Sequence, residues 1–434
     1  MDKMADVLGR AGAWCGQNKY LSAIKNAFQN FMPLTIAGAI GVLWCNVLVN
    51  DQTGLGLFFK PIMALDFLNP AFQAVNFCTI SCITVGITLG IAQEIGVWNM
   101  GAERAGYIPG LVGLAAWLSV TNTSHMVEGA KEAFTGIAGN ELGATGLFTG
   151  MIIGVLSVEL FCFFEKQDAL KIKMPEQVPP GVARAFEVLV PATLTLIITA
   201  CIGSACYNLT GLYLNDVIKN GIQGPLGAVG ATIPGVMIIY LVIMLFWLVG
   251  IHGNNMLSAV KEALFTPLAL ENVEKFNKGE KPTNIINMYA LQMWGEFGGS
   301  GVTIGLVIAI MIFGKREDNK AIASLSLVPG LFNINETVTF GIPMVLNPIL
   351  GIPFVVAPLI TIIIGYVLTV IGFCPVACLT VPWTTPPIVF GFLACGANVM
   401  GAVTQAILIV VSTVIYTPFL ISYEKYQNKQ AAEA

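Results

Sequence analysis

The sequence of 434 residues predicts an all-α polytopic membrane protein with about ten transmembrane helices and re-entrant or broken-helix segments in its second half. Three observations predict it. Hydrophobic residues make up 56% of the chain and charged residues 11%, with a mean hydropathy of +0.77, whereas a soluble domain carries about 25% charged residues. Apolar runs near the ~20-residue length that spans a bilayer occur at 28–49, 73–93, 106–121, 145–164, 186–207, 225–251, 298–314, 350–373 and 396–422. Two stretches, after His252 and after Val328, place amides, acids, glycines and prolines in otherwise apolar surroundings. The formal net charge of -4 comes from 25 acids and 21 bases gathered in a few loops. No basic patch points to nucleic acid.

Met1 to Asn30 mixes polar and apolar residues, including Lys3, Arg10, Lys19 and Lys25. It lacks a leading apolar core and a small-residue cleavage site, so it reads as a cytoplasmic amphipathic lead-in rather than a cleavable signal. Four spans follow, making an N-terminal block at residues 1–165. The basic, proline-containing stretch at 166–184 includes Val178-Pro-Pro-Gly-Val, which bars a continuous helix and reads as a cytoplasmic linker. A second membrane block covers 185–422, and 423–434 is a cytoplasmic tail. The ten cysteines, among them Cys15 and the i,i+4 pairs Cys78/Cys82 and Cys374/Cys378, are scattered through apolar runs. They read as small packing residues, and neither a metal nor another cofactor is expected.

Basic residues cluster at the N-terminus, at Lys166 to Arg184, at Lys315 to Lys320 and at Lys425 to Lys429, whereas Lys60, Lys131 and Lys219 stand singly. The positive-inside rule puts all four clusters in the cytoplasm. Four spans precede the 166–184 loop, as that requires. Between Ile251 and Lys315 only one apolar span is visible, so a further crossing is expected in the polar stretch His252 to Phe297. Its composition cannot face lipid, and it must be wrapped in protein or line a cavity.

The segment Pro329 to Pro348 places Asn333, Asn335 and Glu336 between helix-breaking residues, with Pro343 further along. An ionisable group at bilayer depth costs at least ~2.5 kcal/mol, so it normally faces a cavity, a partner or a substrate. Glu336 reads either as a helix-terminal acid or partner of His252, or as a ligand-binding carboxylate with a pKa raised by desolvation. The neighbouring asparagines and threonines favour the ligand reading. His252, in Gly250-Ile-His-Gly-Asn-Asn, is either an interfacial histidine bonded to a neighbouring helix or a binding group whose following Gly253, Asn254 and Asn255 free the backbone and offer hydrogen bonds to hydroxyls. Trp247, Trp294 and Trp383 are interface residues or flat platforms for a sugar ring. His125 lies in a polar loop and reads as solvated. Gly298-Gly-Ser-Gly lacks the lysine and preceding strand of a phosphate loop and reads as close packing or ligand approach at a helix start.

Taken together, Met32-Pro-Leu-Thr-Ile-Ala-Gly-Ala, Val178-Pro-Pro-Gly-Val-Ala-Arg-Ala-Phe, Gly250-Ile-His-Gly, Gly298-Gly-Ser-Gly and Phe332-Asn-Ile-Asn-Glu-Thr-Val-Thr-Phe-Gly-Ile-Pro-Met-Val-Leu-Asn-Pro resemble the membrane subunit IIC of bacterial sugar phosphotransferase systems. The lactose/cellobiose/diacetylchitobiose branch is the nearest. The resemblance implies a homodimer, with dimerisation through the 1–165 block and one sugar held in the second half of each chain. It implies that His252 and Glu336 contact the sugar near the hydroxyl that receives phosphate, as candidate catalytic groups, beside Asn335, Trp247 and Trp383, and the amide of Asn254 adds a candidate substrate-binding group by its own chemistry. Thr337 stands where the family usually has proline, and Thr339 where it is usually aliphatic; Asn254 and Asn255 are more polar than the family pattern.

The function so implied is a permease in the bacterial cytoplasmic membrane, with both termini in the cytoplasm. It carries a carbohydrate, such as the β-linked disaccharides cellobiose, lactose or diacetylchitobiose, inward and presents its C6 hydroxyl to a cytoplasmic IIB subunit, which IIA serves. Both partners are expected as separate chains, and the phosphoryl-carrying nucleophile belongs to IIB. A proton-coupled sugar or nucleoside transporter and a non-transporting sugar receptor are the alternatives that an intramembrane glutamate also allows. The charge distribution makes a topological prediction: a cysteine at position 317, in a background stripped of native cysteines, is labelled from the cytoplasmic side. Labelling from outside alone would overturn both the parity count and the extra crossing.

Overall fold

Helices that meet inside a bilayer gain little from the hydrophobic effect and rely on close backbone approach and polar contacts, and the positions of glycine and threonine show where this chain does so. The computed structural model describes residues 10, 13–14, 17–51, 55–125, 134–175, 177–225, 230–342 and 344–433; Lys3, Cys15, Lys131 and Pro343, named above, lie outside them. The principal helices are α1 (Lys19–Leu43), α2 (Asn69–Cys78), α3 (Ile83–Met100), α4 (Ile108–Val120), α5 (Ala144–Glu165), α6 (Pro180–Thr210), α7 (Ile233–Leu248) and α8 (Gly253–Asn277). They continue as α9 (Met288–Gly295), α10 (Ile304–Phe313), α11 (Glu317–Leu331), α12 (Glu336–Gly341), α13 (Gly351–Val370), α14 (Val389–Ala394) and α15 (Val399–Glu433). Every apolar window of the sequence holds a helix. Six stretches are long and apolar enough to cross a membrane: Lys19–Leu48, Lys60–Met100, Ala144–Glu165, Pro180–Thr210, Gly351–Val370 and Val399–Gln430. The apolar helices α4, α7 and α10 are shorter.

Two compact units emerge, one from Gln17–Gly38 with Val75–Ala228, the other chiefly from Ala39–Ala74 with Val229–Ala434. In the first, α3 buries Ile83, Ile87, Ile91 and Ile95 at four-residue spacing, with Thr84 and Thr88 alongside. Helix α5 answers with Gly146, Gly150 and Gly154, also four apart. A Cβ added to Gly154 would lie 3.1 Å from the Thr88 carbonyl oxygen, and one on Gly150 would overlap the Thr88 hydroxyl. Only hydrogen fits there, so the two backbones meet directly. The Thr84 hydroxyl donates to the Gly143 carbonyl at 2.7 Å.

Ion pairs finish this unit. Lys19 pairs with Glu159 at 2.6 Å. Buried Glu165, at the end of α5, receives Arg104 at 2.8 Å and Arg184 at 3.0 Å, and Arg184 also reaches Glu187 at 2.8 Å. The 166–184 stretch, expected as a linker, therefore runs within one unit between two helices whose ends are clamped together. His125, expected in solvent, is half-buried, with Nε2 3.2 Å from the Asn122 carbonyl oxygen and its ring against Phe134.

In the second unit the polar stretch His252–Phe297 forms α8 and α9, and protein surrounds much of it. Met288 to Leu291 and Met293 to Gly295 are buried, as are Ala259, Phe265, Ala269 and Val273 on α8. Asn272 donates to the carbonyls of Asn284 and Ala377 at 2.8 and 3.0 Å, tying the α8–α9 connection down. Helices α9 and α10 are halves of a broken helix. Between them Gly298, Gly299 and Gly301 take φ of +69°, +87° and +80°, the region glycine enters without strain. The carbonyls freed there find partners: Thr303 Oγ1 donates to Gly298 at 2.6 Å, Tyr416 to Gly301 at 2.7 Å and Ser412 to Val302 at 2.8 Å.

Close packing of α3 on α5 sets a stability prediction. Gly150→Leu should force the helices apart at a cost of about 1–3 kcal/mol, the usual cost of overpacking. Thermal unfolding in detergent measures it, and a melting temperature equal to that of the unaltered protein would contradict the close approach.

Candidate functional site

Three segments of the second unit supply the site residues. The first follows α7. Gly250, at φ +81°, turns the chain, and His252 becomes the N-cap of α8, its Nδ1 accepting the Asn255 amide N–H at 3.2 Å. An imidazole that accepts at Nδ1 carries its proton on Nε2. The ring is held from behind by Trp247, centroid to centroid 4.4 Å, and Trp247 meets Phe354 edge-on at 6.3 Å. Trp247 is 2% exposed, so this tryptophan is a wall behind His252 rather than an open face. Asn254 turns inward, its Nδ2 donating to Ser300 Oγ at 2.9 Å.

The second segment joins α11 to α12. Asn333 takes φ +62°, a left-handed conformation that asparagine tolerates better than most residues. Its Oδ1 accepts the Gly298 N–H at 2.6 Å, and its Nδ2 donates to the carbonyls of Trp383 and Thr385 at 2.5 and 3.1 Å. Asn335 is buried and donates to the Ser300 carbonyl at 2.7 Å. On the short helix α12, Val338 and Thr339 turn into the protein while Glu336 and Thr337 turn out. Glu336 is thus exposed, not enclosed, because its helix packs by the opposite face. Its neighbour Asn335 and Asn254, two residues after His252, both bond Ser300, which ties the Glu336 and His252 segments to one residue.

Trp383 heads the third segment and is 45% exposed. Of the three tryptophans singled out in the sequence it alone offers an open ring, since Trp294 is buried. The structure therefore ties Asn254, Asn335 and, through Asn333, the Trp383 backbone to one hub, the Gly298–Gly301 turn, with His252 and Glu336 carried on the same segments. A Cβ on Gly299 would come within 2.6 Å of Asn335 Cγ.

A group of polar residues behind this hub was not singled out in the sequence. Lys261 is buried and forms an ion pair with Glu296. Tyr240 donates its hydroxyl to the same Glu296 oxygen at 2.7 Å. Lys261 also reaches Asn254 Oδ1 at 3.4 Å. The signal available was the presence of Lys261 and Glu296 in a stretch that cannot face lipid. Only their mutual contact, 35 residues apart in sequence, turns that signal into a pair.

Comparison with known proteins gives this geometry a family. The family model described as "Phosphotransferase system, EIIC" matches residues 25–358. An oligo-beta-mannoside-specific EIIC component of Bacillus subtilis (strain 168) is 32% identical over 98% of this chain and 94% of its own. A cellobiose-specific EIIC component of Lactococcus lactis subsp. lactis (strain IL1403) is 30% identical over 98% of both chains. The crystal structure of the transporter ChbC, the IIC component of the N,N'-diacetylchitobiose-specific phosphotransferase system, superposes with a TM-score of 0.88 over 97% of both chains at 29% identity. With apolar helices of spanning length and a match across most of its length, the chain belongs to the phosphotransferase-system EIIC family of multi-pass membrane sugar permeases.

Proposed function

We propose that this permease binds a β-linked di- or oligosaccharide and presents its C6 hydroxyl to a cytoplasmic IIB component. The observation that carries the reading is that the segments of His252 and Glu336, each at the start of a helix where the backbone has just left regular structure, are tied to the same residue, Ser300, through Asn254 and Asn335. The specificities named for the relatives, oligo-beta-mannoside, cellobiose and N,N'-diacetylchitobiose, support the same sugar class. Relatives named lactose-specific EIICB components, as in Streptococcus mutans serotype c (strain ATCC 700610 / UA159), join C and B in one polypeptide, which supports a B component as the partner here. IIA supply, a homodimer formed through residues 1–165 and cytoplasmic termini complete the proposal.

The tautomer of His252 suggests how the pair works. A hydroxyl is both donor and acceptor. Nε2–H of His252 donates to the hydroxyl oxygen and orients its lone pair, while the Glu336 carboxylate accepts its hydrogen. As O6 attacks the phosphorus of a phosphocysteine on IIB, its proton passes to Glu336, the O–P bond forms, the P–S bond breaks and the cysteine leaves as thiolate. Most of the rate then comes from positioning and charge, as in other phosphoryl transfers. Asn335 holds the Ser300 carbonyl and Asn254 the Ser300 hydroxyl, and the Trp383 ring stacks on a sugar face.

Glu336→Ala and Glu336→Gln should each weaken sugar binding tenfold or more, since a hydrogen bond to a charged group is worth ~1.5–3 kcal/mol. His252→Ala should do likewise, and the double variant should lose less than the sum because the groups share one hydroxyl. Calorimetry on purified protein with a panel of glucosides, galactosides, mannosides and N-acetylglucosamine oligomers reads both affinity and sugar class. Full affinity and phosphorylation in folded Glu336→Ala would sink the site.

For Trp383, Ala should weaken binding more than Phe, with stacking worth ~0.5–1.5 kcal/mol beyond burial. Equal affinity across the unaltered protein and both variants would return Trp383 to an interfacial role.

A further inference from the structure

The ion pair of buried Lys261 with the half-buried Glu296 touches neither His252 nor Glu336 through a hydrogen bond, yet both site segments hang from it. Glu296 opens the break between α9 and α10, four residues before Ser300. On the other side Lys261 Nζ bonds Asn254 Oδ1 at 3.4 Å, Asn254 Nδ2 bonds Ser300 Oγ at 2.9 Å, and the Ser300 carbonyl takes Asn335 Nδ2 at 2.7 Å. Asn254 lies two residues after His252, and Asn335 directly precedes Glu336. Tyr240 fixes the far end, with its hydroxyl 2.7 Å from Glu296 Oε1 and its ring centroid 5.5 Å from Lys261 Nζ.

An ion pair drawn largely out of water is a costly way to hold a fold, since well-packed apolar residues often do as well or better. Their value lies in direction. An ammonium and a carboxylate with these partners fix the Glu296–Ser300 turn relative to α8, and the turn fixes Asn335. We propose that the Lys261–Glu296 ion pair, acting through Asn254 and Ser300, is a positioning element that sets the separation of His252 and Glu336 and thereby the recognition of the C6 hydroxyl. This rests on the reading that those two residues bind that hydroxyl.

The test compares cellobiose with its 6,6'-dideoxy analogue, by calorimetry on purified protein. The unaltered protein should prefer cellobiose about tenfold, the worth of one strong hydrogen bond. Each single change, Lys261→Met or Glu296→Gln, strands a buried charge or its partner and should lower the melting temperature. The double variant Lys261→Met/Glu296→Gln should regain stability but bind the two sugars within about threefold of each other. A purely structural role predicts the opposite, with affinity for both sugars moving together and their ratio preserved, and that result overturns the proposal.

Ser300→Ala provides a second reading that does not depend on the double variant folding. It removes the hydroxyl that receives Asn254 and keeps the carbonyl that receives Asn335, so the ratio should fall while the melting temperature changes little. An unchanged ratio in folded Ser300→Ala also overturns the proposal. If the unaltered protein binds both sugars equally, the C6-hydroxyl site itself is wrong. Retention of discrimination in the variants alone leaves that site standing and removes only the role of the pair.

Discussion

A backbone that leaves the helix in an apolar body must find a partner for every amide and carbonyl it releases. The turn from Glu296 to Thr303 is where the second unit meets that constraint. Its glycines allow the sharp path, and its carbonyls are taken by Thr303, Ser412, Tyr416 and Asn335. The Gly298 N–H goes to Asn333. Because side chains of α15, of the α11–α12 junction and of α8 all converge on this turn, the position of each candidate binding residue follows from how it is satisfied.

Much of this was legible in sequence, for a physical reason. Apolar runs of spanning length can only be helices, and each one expected holds a helix. The Asn333 to Glu336 interruption was visible because polar groups and helix breakers coincide there. The His252 segment was visible because Gly250 and Gly253 flank it. Less legible was the direction of each side chain. Trp247 and Trp383 carry the same sequence signal, yet one is a buried wall and the other an open ring. Burial of one helix face cannot be read from six residues such as Glu336–Gly341, so the outward position of Glu336 emerged only from the fold. Lys261 and Glu296 could be placed in a shielded region but not paired, because pairing is a long-range fact.

The two units solve packing differently. In the first, glycines four apart let α5 approach α3, and hydroxyls that return to backbone sit alongside a few side-chain contacts such as Asn26 on Glu94 and Thr149 on Asn215. In the second, side-chain amides do the joining: Asn254, Asn272, Asn333, Asn335 and Gln405 each bridge separate segments. An amide has two donors and an acceptor, so it can tie two irregular strands of backbone at once, which a glycine contact cannot.

The contrast between the tryptophans reaches beyond binding energy. Trp117, Trp247 and Trp294 are buried, Trp247 against the His252 ring, with no hydrogen-bond partner at their indole N–H groups, whereas Trp383 is open and its carbonyl is held by Asn333. Indole emission shifts to shorter wavelength when water leaves the ring, so a sugar laid over Trp383 changes the light from one exposed emitter against a background from the other six tryptophans, of which Trp14 and Trp98 are also exposed. The protein thereby carries an intrinsic optical signal of site occupancy, built from the same difference in burial that separates a wall from a platform.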